Sequence, residues 1–212
     1  MNKHLKYTLL AGIAVAIIAL VLFDTFNNTT VDKSYERMIR KLRTQKDNDF
    51  KYGNASPLTN EQKLHFTTLH YFEPDDIYKV QAVITLTKND SFYKYLTTTN
   101  EIRRFNKHAY LDFTIEKKAQ RLILLKSAEA GTAAYYFLAF KDLTSGTETY
   151  GGGRYLDIEK PKSSSIEIDF NKTYNPYCAY NDLYSCPVPP DENNLSVRIL
   201  AGERTYGKSD NK

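Results

Sequence analysis

The feature that most constrains the fold is a change, after Pro74, to two-residue alternation of apolar and polar side chains. This period is typical of strands, which present successive side chains to opposite faces of a sheet. Turn-forming residues separate the segments, at 88–90, 129–131 and 144–146. Eight segments fit the strand pattern: Val80–Thr87, Ser91–Thr97, Ala109–Ile115, Gln120–Lys126, Ala134–Lys141, Arg154–Ile158, Ser165–Phe170 and Leu195–Ala201.

Short strands joined by tight turns favour antiparallel pairing, because a parallel crossover needs a long connection that is usually a helix. No helical pattern of that length lies between the segments. The 17 tyrosines and 11 phenylalanines agree with a sheet, since aromatic residues favour strands. We therefore expect a mainly β fold, an antiparallel meander that closes into a barrel or a sandwich.

An uncharged apolar run from Tyr7 to Phe23 follows a short basic N-region, residues 1–6. As a helix the run would rise roughly 25 Å, which is at the short end of a membrane-spanning segment. A cleaved signal peptide is the alternative, but no small-residue processing site follows the run. We expect an uncleaved transmembrane signal-anchor that makes the membrane a partner, with a single pass and the globular body on the extracytoplasmic side.

Two helices are expected between this run and the sheet. The first, about Val31 to Lys46, is amphipathic and belongs to a tether region of residues 24–48. The second starts near Leu58, where Thr59 and Gln62 have the spacing of a capping box. Residues 49–204 form the expected β domain, and residues 205–212 a flexible tail.

The charge pattern argues against one class of partner. The formal net charge is only +4, and basic residues are spread along the chain among acidic ones. Nucleic-acid-binding domains usually concentrate their basic residues on one face or stripe. We therefore expect no nucleic-acid partner.

Residues that favour irregular backbone are concentrated between Thr147 and Asn193, where three consecutive glycines, both cysteines and most of the prolines occur. Irregular segments on a rigid scaffold often hold binding sites. We expect a small polar or anionic ligand at one end of the barrel, bound by the loops around 150–157 and 169–193. The candidate ligand-binding residues are Tyr150, Gly151, Gly152, Gly153, Arg154, Asp157, Asp169, Asn171, Tyr174, Asn175, Asn193 and Glu203.

In this set Arg154 would supply charge and a bidentate fork, while Asp169 and Asn171 would orient the ligand. The structural alternative is a glycine turn or bulge, with the Asp and Asn side chains bonded to their own backbone. Two other functions stay open from the residues alone. One is a hydrolase with Asp157, Asp169 or Glu203 as base, and the other is an envelope module without a ligand.

Cys178 and Cys186 are the only cysteines. In an exported domain a structural disulfide is the expected state, with free buried thiols or a reactive thiol as alternatives. Zinc would need further ligands, and all the histidines lie far upstream, so no metal site is expected. No dinucleotide, Walker or G-x-S-x-G pattern occurs, so we expect no cofactor and assign no catalytic residue.

Two long motifs, FKDLTSGTETYGGGRYLD and IDFNKTYNPYCAYNDLYSCPVPPDENNLSVRILAGER, resemble the bacterial and archaeal family named domain of unknown function 1684. Upstream, KYGNASPLTNEQKLHFTTLHYFEPDDIYKV is similar to the opening of that family. The resemblance covers about residues 49–204 and implies no activity. It also weakens the expectation of a disulfide, because many relatives resemble soluble proteins without an apolar N-terminal run.

Overall fold

The computed structural model describes residues 32–88, 92–127 and 135–207 of the chain. The predicted membrane segment, residues 7–23, lies outside the described residues. In the part that is described, no helix combines the length and the apolar character needed to cross a membrane.

Two helices precede the sheet, as expected. Helix α1 spans Lys33–Tyr52, and the carboxylate of Asp32 caps its first turn. Helix α2 spans Asn60–His65 and begins with the predicted capping box, in which Thr59 and Gln62 bond to each other's backbone amides.

Helix α1 continues past the predicted end at Lys46. Phe50, one turn later, extends its buried face into a cluster with Leu58, Phe66, Leu69 and Tyr180. The helix ends at Gly53, where an added Cβ would lie 2.4 Å from the carbonyl oxygen of Asp49. The polar residues after Lys46 therefore continue the helix, and Asp47 accepts from the Leu69 amide at 2.9 Å. The aromatic cluster fixes α1 against the rest of the protein.

Seven strands form one sheet within the described residues. In chain order they are β1 (Lys79–Leu86), β2 (Phe92–Leu96), β3 (Ile102–Ile115), β4 (Lys118–Ser127), β5 (Tyr136–Phe140), β6 (Arg154–Ile158) and β7 (Ser165–Asp169). Their spatial order is β6-β5-β4-β3-β1-β7, with β2 also paired to β3, and every pairing is antiparallel. The sheet curls into a half-barrel, which confirms the mainly β, antiparallel prediction.

Strand β3 organises the curl. It pairs with β2 through residues 102–106 and with β1 through residues 109–112, while β4 occupies its other edge. A bulge between Lys107 and Ala109 separates the two pairings and bends the strand. At the far edge of the sheet, Tyr155 of β6 and Tyr174 exchange backbone hydrogen bonds of 2.8 and 2.9 Å. Because Tyr174 follows β7, this pair links the two edges of the half-barrel.

The predicted eighth strand, Leu195–Ala201, is wrong. The segment forms no strand, although its alternate residues are buried in the main core, namely Leu195, Val197, Ile199 and Ala201. Several of its backbone groups bond to side chains: the Ile199 carbonyl accepts from Arg154, and the Ser196 amide donates to Gln120. The alternation therefore reports burial correctly, but the segment fills the half-barrel without a continuous ladder to a neighbouring strand.

The first residues of the predicted tail contact the body. The Thr205 amide donates to the Glu148 carbonyl at 3.0 Å, and the ring of Tyr206 packs 5.2 Å from that of Tyr180 between centroids. Residues 208–212 lie outside the described residues.

Candidate ligand-binding cleft

A cleft of about 730 Å³ lies between α1, the end of β6, and the segments 171–177 and 184–187. This volume is within the range of small-molecule sites. Helix α1 supplies one wall through Ile39, Leu42, Arg43, Lys46, Asp49 and Phe50. The aromatic cluster around Phe50 fixes α1, so the packing of the fold sets the position of this wall of the cleft.

Tyrosines supply much of the remaining wall. Tyr155 and Tyr174 meet edge to face with their centroids 6.1 Å apart, and Tyr177 and Tyr184 do so at 5.2 Å. Burial raises the pKa of both Tyr155 and Tyr174 above the usual tyrosine value, so these hydroxyls stay protonated. The wall is therefore aromatic and neutral, a surface suited to an apolar group.

Three cations line the cleft, and two of them are already paired. Lys46 Nζ lies 2.7 Å from Glu203 Oε2 and 5.0 Å from the centroid of Tyr174. Lys172 Nζ lies 3.1 Å from Asp169 Oδ2. Each of these ammonium groups has a carboxylate as its closest counter-charge.

Arg43 is the third cation, and its side chain is only partly satisfied. Its Nη1 donates to the Phe72 carbonyl at 2.8 Å, and the guanidinium carbon stacks 4.5 Å from the centroid of Tyr71. Its Nε and Nη2 are buried and find no acceptor among the described residues. Burial lowers the pKa of Arg43 below the usual arginine value. The Nε–Nη2 edge, which can bind a carboxylate with two parallel bonds, is thus unused.

Three of the predicted site residues line this cleft: Asp157, Asn171 and Tyr174. The Tyr174 hydroxyl donates to Asp157 Oδ1 at 2.8 Å. The amide of Asn171 is occupied by the backbone of Asp75, at 2.9 Å through Oδ1 and 2.8 Å through Nδ2. The remaining predicted residues do not line the cleft: Tyr150, Gly151, Gly152, Gly153, Arg154, Asp169, Asn175, Asn193 and Glu203.

Arg154 lies in the protein interior, with 1% of its surface exposed. Its Nη2 contacts Asp142 Oδ2 at 2.7 Å and the Ile199 carbonyl at 2.9 Å, and Nη1 donates to the Ala201 carbonyl. Burial lowers the pKa of Arg154, and the carboxylate of Asp142 opposes that effect. The expectation that Arg154 faces a ligand is therefore corrected, because its fork joins β6 to the loop after β5 and to segment 195–201.

The triple glycine, Gly151–Gly153, contacts the loop that contains Pro189, so the two predicted loops lie next to each other. Gly153 has a φ of +95°, and an added Cβ would lie 2.6 Å from both Pro189 Cγ and the Phe140 carbonyl oxygen. The close approach is to the protein's own chain, so the glycines serve packing in this structure. Tyr150 lies beside them and points its hydroxyl at Cys178 Sγ, 3.8 Å away.

Asn193 acts as a bridge between two strands. Its Oδ1 accepts from the Ile123 amide at 2.6 Å, and its Nδ2 donates to the carbonyls of Ile123 and Ala139 at 3.0 and 2.8 Å. Strands β4 and β5 pair directly only at Leu125 and Lys126. The fully buried amide of Asn193 therefore completes the hydrogen bonding where the two strands separate.

Glu203 is a fully buried carboxylate whose oxygens are occupied. It accepts from Lys46 Nζ at 2.7 Å, from Asn175 Nδ2 at 3.0 Å and from the Tyr180 hydroxyl. These bonds tie α1 to the C-terminal segment. The groups that donate to Glu203 all belong to the protein's own framework. Neither carboxylate oxygen is therefore free to act as a hydrolytic base.

Asp169 has one oxygen occupied by hydrogen bonds and the other in an ion pair. Its Oδ1 accepts from the Tyr35 hydroxyl at 2.8 Å and from the Asn171 amide at 3.1 Å, and Oδ2 faces Lys172. It thereby caps the single 3₁₀ turn Phe170–Lys172 and anchors α1 through Tyr35. This is the backbone-bonding role that the sequence left as the alternative.

Cys178 and Cys186 carry free thiols, so the structure does not show the expected disulfide. Both are buried, and Cys186 also lines the cleft. The two residues touch, because the Cys178 amide donates to Cys186 Sγ at 3.2 Å. Within the described ranges, no group of three or more His, Cys, Asp or Glu residues is placed to hold a metal ion.

Sequence reasoning missed the wall supplied by α1. The sequence assigns this helix only to an amphipathic tether region, residues 24–48. Yet Ile39, Arg43, Lys46 and Phe50 recur at intervals of three and four residues, which places them on one face. Two cations on an otherwise apolar helix face were the available signal for a site.

Comparisons with known proteins agree with the fold and name no activity. The family model described as Protein of unknown function (DUF1684) matches residues 64–204, a range that begins after α1. The solution NMR structure of an uncharacterised protein of Haloarcula marismortui is 32% identical, with a TM-score of 0.64. That match covers 84% of this chain and 97% of the other. No curated protein matches this chain.

Proposed function

Because this chain belongs to the DUF1684 family, whose description names no activity, we propose a function from the geometry of the cleft: it binds a small amphipathic anion. The ligand has an apolar body and one acidic group. The observation on which this proposal rests is the state of Arg43, which lines an aromatic cleft of about 730 Å³ and whose buried Nε and Nη2 find no acceptor among the described residues.

The anionic part of the proposal follows from the state of Arg43. Leaving a buried donor without an acceptor costs about 1–3 kcal/mol, and more when the group is charged. A carboxylate that enters the cleft and bonds Nε and Nη2 together would remove this cost. Lys46 and Lys172 are paired with Glu203 and Asp169, whereas Arg43 has no carboxylate within ion-pair distance among the described residues.

The apolar part follows from the other walls. The rings of Tyr155, Tyr174, Tyr177 and Tyr184, with Leu42 and Ile39 of α1, offer more apolar than polar surface. Water held against such rings is released when an apolar group replaces it, which stabilises the complex. A ring or short alkyl chain bound to these tyrosines would place its acidic group within reach of α1.

The donors around Glu203 and Asp169 count against hydrolysis as the alternative. A general base needs an oxygen within hydrogen-bond reach of the attacking water. Both carboxylates instead accept bonds from residues that hold α1 in place. Asp157 lines the cleft, but the Tyr174 hydroxyl already bonds one of its oxygens. Binding is therefore the function that the geometry favours.

Two variants that place opposite charges at position 42 test the proposal, with 2-naphthoate as the probe. Leu42 lines the cleft and is 50% exposed, so a polar residue there leaves the core intact. We expect Leu42→Glu to weaken binding and Leu42→Lys to strengthen it, with about a fivefold difference between the two dissociation constants. Isothermal titration calorimetry at low salt measures both.

Neutral 2-naphthalenemethanol is the matched ligand control, because it keeps the ring and lacks the charge. We expect it to bind about tenfold more weakly than 2-naphthoate, and with equal affinity to both Leu42 variants. Arg43→Met should remove the preference for the anion, whereas Arg37→Met, on the exposed side of the same helix, should retain it. Equal affinities for the two ligands in the wild-type protein, or no binding of either, would contradict the proposal.

A further inference from the structure

The two cysteines form a contact pair next to the cleft. Cys178 lies in the 3₁₀ turn Tyr177–Ala179, and Cys186 lies just before Pro187. Their exposed fractions are 8% and 7%. The 3.2 Å bond from the Cys178 amide to Cys186 Sγ holds the two residues together without a covalent link.

The sulfur of Cys178 accepts a hydrogen bond from the Tyr150 hydroxyl, 3.8 Å away. The Cys186 thiol and the Tyr150 hydroxyl are the neighbours whose hydrogen bonds act most on the pKa of Cys178. These hydrogen bonds lower the pKa of Cys178 to about 7, against the opposing effect of burial. The pKa of Cys186 is raised, because its thiol keeps the proton that it donates to Cys178. Cys178 is therefore the cysteine of the pair that ionises first as the pH rises.

We propose that Cys178 and Cys186 form a peroxide-reactive dithiol, in which Cys178 is oxidised first and Cys186 resolves it to a disulfide. The thiolate sulfur of Cys178 attacks one oxygen of hydrogen peroxide, the O–O bond breaks, and hydroxide leaves with a sulfenic acid on Cys178. Cys186 then gives up its proton and attacks the sulfenic sulfur. The S–S bond forms as hydroxide leaves, so two thiols and one peroxide become one disulfide and two waters.

The surroundings select a small oxidant. With less than a tenth of each residue exposed, a bulky disulfide has little access to either sulfur, whereas peroxide is close to water in size. Cys186 lines the cleft, which provides a route from solvent to the pair. Prolines at 176 and 187 flank the two cysteines and limit their separation before oxidation. The inference is independent of the proposed function, since it uses no ligand in the cleft.

The test is intact-mass analysis of the reduced full-length protein during treatment with hydrogen peroxide. We expect the wild type to lose two hydrogen atoms, with a Cys178–Cys186 cross-link in the peptide map. The rate should rise with pH through about 7 and then level off, as the thiolate fraction of Cys178 saturates. A product that gains oxygen without the cross-link, or a rate still rising steeply well above that pH, would overturn the proposal.

Two variants assign the roles. Cys186→Ser should stop at a sulfenic acid that dimedone traps, and Cys178→Ser should react at least tenfold more slowly than the wild type. Equal rates for the two variants would overturn the assignment of Cys178 as the first sulfur oxidised. Tyr150→Phe should move the midpoint of the pH–rate profile upward, while Tyr184→Phe, a nearby tyrosine on the cleft, should leave it in place. The wild-type peptide map and pH profile test the proposal even where a variant folds poorly.

Discussion

Replacing Arg154 with methionine is expected to lower the free energy of unfolding by about 3–5 kcal/mol. The substitution leaves Asp142 as an unpaired carboxylate with 1% of its side chain exposed. It also removes the donor for the carbonyls of Ile199 and Ala201, which lie in the unpaired segment that fills the core. Because that segment has no continuous ladder, these bonds are among the few that hold its backbone in place. Urea denaturation followed by tyrosine fluorescence measures the change.

An exposed pair of the same residue types provides the control. Arg121 and Asp112 bond across β4 and β3, but their side chains are 60% and 38% exposed. We expect Arg121→Met to cost no more than about 1 kcal/mol, as is usual for surface pairs. Adding Asp142→Asn to Arg154→Met should recover part of the loss, because it removes the buried charge. Similar costs for the two single variants would contradict a structural role for Arg154 and favour its assignment to a ligand.

The second large effect is expected for Asn193→Asp. This substitution should lower the free energy of unfolding by about 3 kcal/mol or more near neutral pH. The side chains are isosteric, but an aspartate cannot donate to the carbonyls of Ile123 and Ala139. Burial should raise the pKa of the new carboxyl group in the folded protein above its unfolded value. The loss should therefore grow as the pH rises through the folded pKa, and shrink below the unfolded pKa, where the protonated acid can donate one bond.

Asn194→Asp is the matched control, because Asn194 is exposed and adjacent in sequence. It introduces the same charge and should change the stability by less than about 0.5 kcal/mol. Thermal unfolding of both variants across a pH series measures the difference. A loss for Asn193→Asp that equals that of the control, or that falls as the pH rises, would contradict the bridging role of Asn193 between β4 and β5.

Side-chain alternation located most of the sheet because strands such as β1 and β3 alternate more buried with more exposed side chains. It placed β4 and β6 within a few residues of their observed bounds. It missed the first half of β3, where a polar run that includes Arg103 and Arg104 hides the period. It also overpredicted Leu195–Ala201, because alternation reports which side chains are buried but not where the backbone amides and carbonyls bond. The half-barrel has room for an extended segment without a partner strand. The local side-chain pattern of such a segment is the same as that of a paired strand.

The candidate site was harder to predict because its parts are distant in the chain. The sequence grouped the loops around 150–157 and 169–193 at one site, and Gly153 of the first loop does contact Pro189 of the second. It could not indicate which way Arg154 points, since the carboxylate that receives it, Asp142, lies in a loop twelve positions earlier. The cleft itself arises from α1 packing on segments more than a hundred residues later. Such contacts are set by tertiary packing and leave only a weak pattern in the helix.

The central claim is that the conspicuous loop residues build the scaffold, while the ligand is bound between α1 and the segments 171–177 and 184–187. An amide ¹H–¹⁵N chemical-shift titration of the protein with 2-naphthoate tests it most directly. We predict that the largest saturable shifts fall on residues 39–50, 171–177 and 184–187, with small shifts at 151–154 and 193. Shifts concentrated at 151–154 and 193, with α1 unperturbed, would contradict the claim and indicate that the ligand binds at the glycine loop.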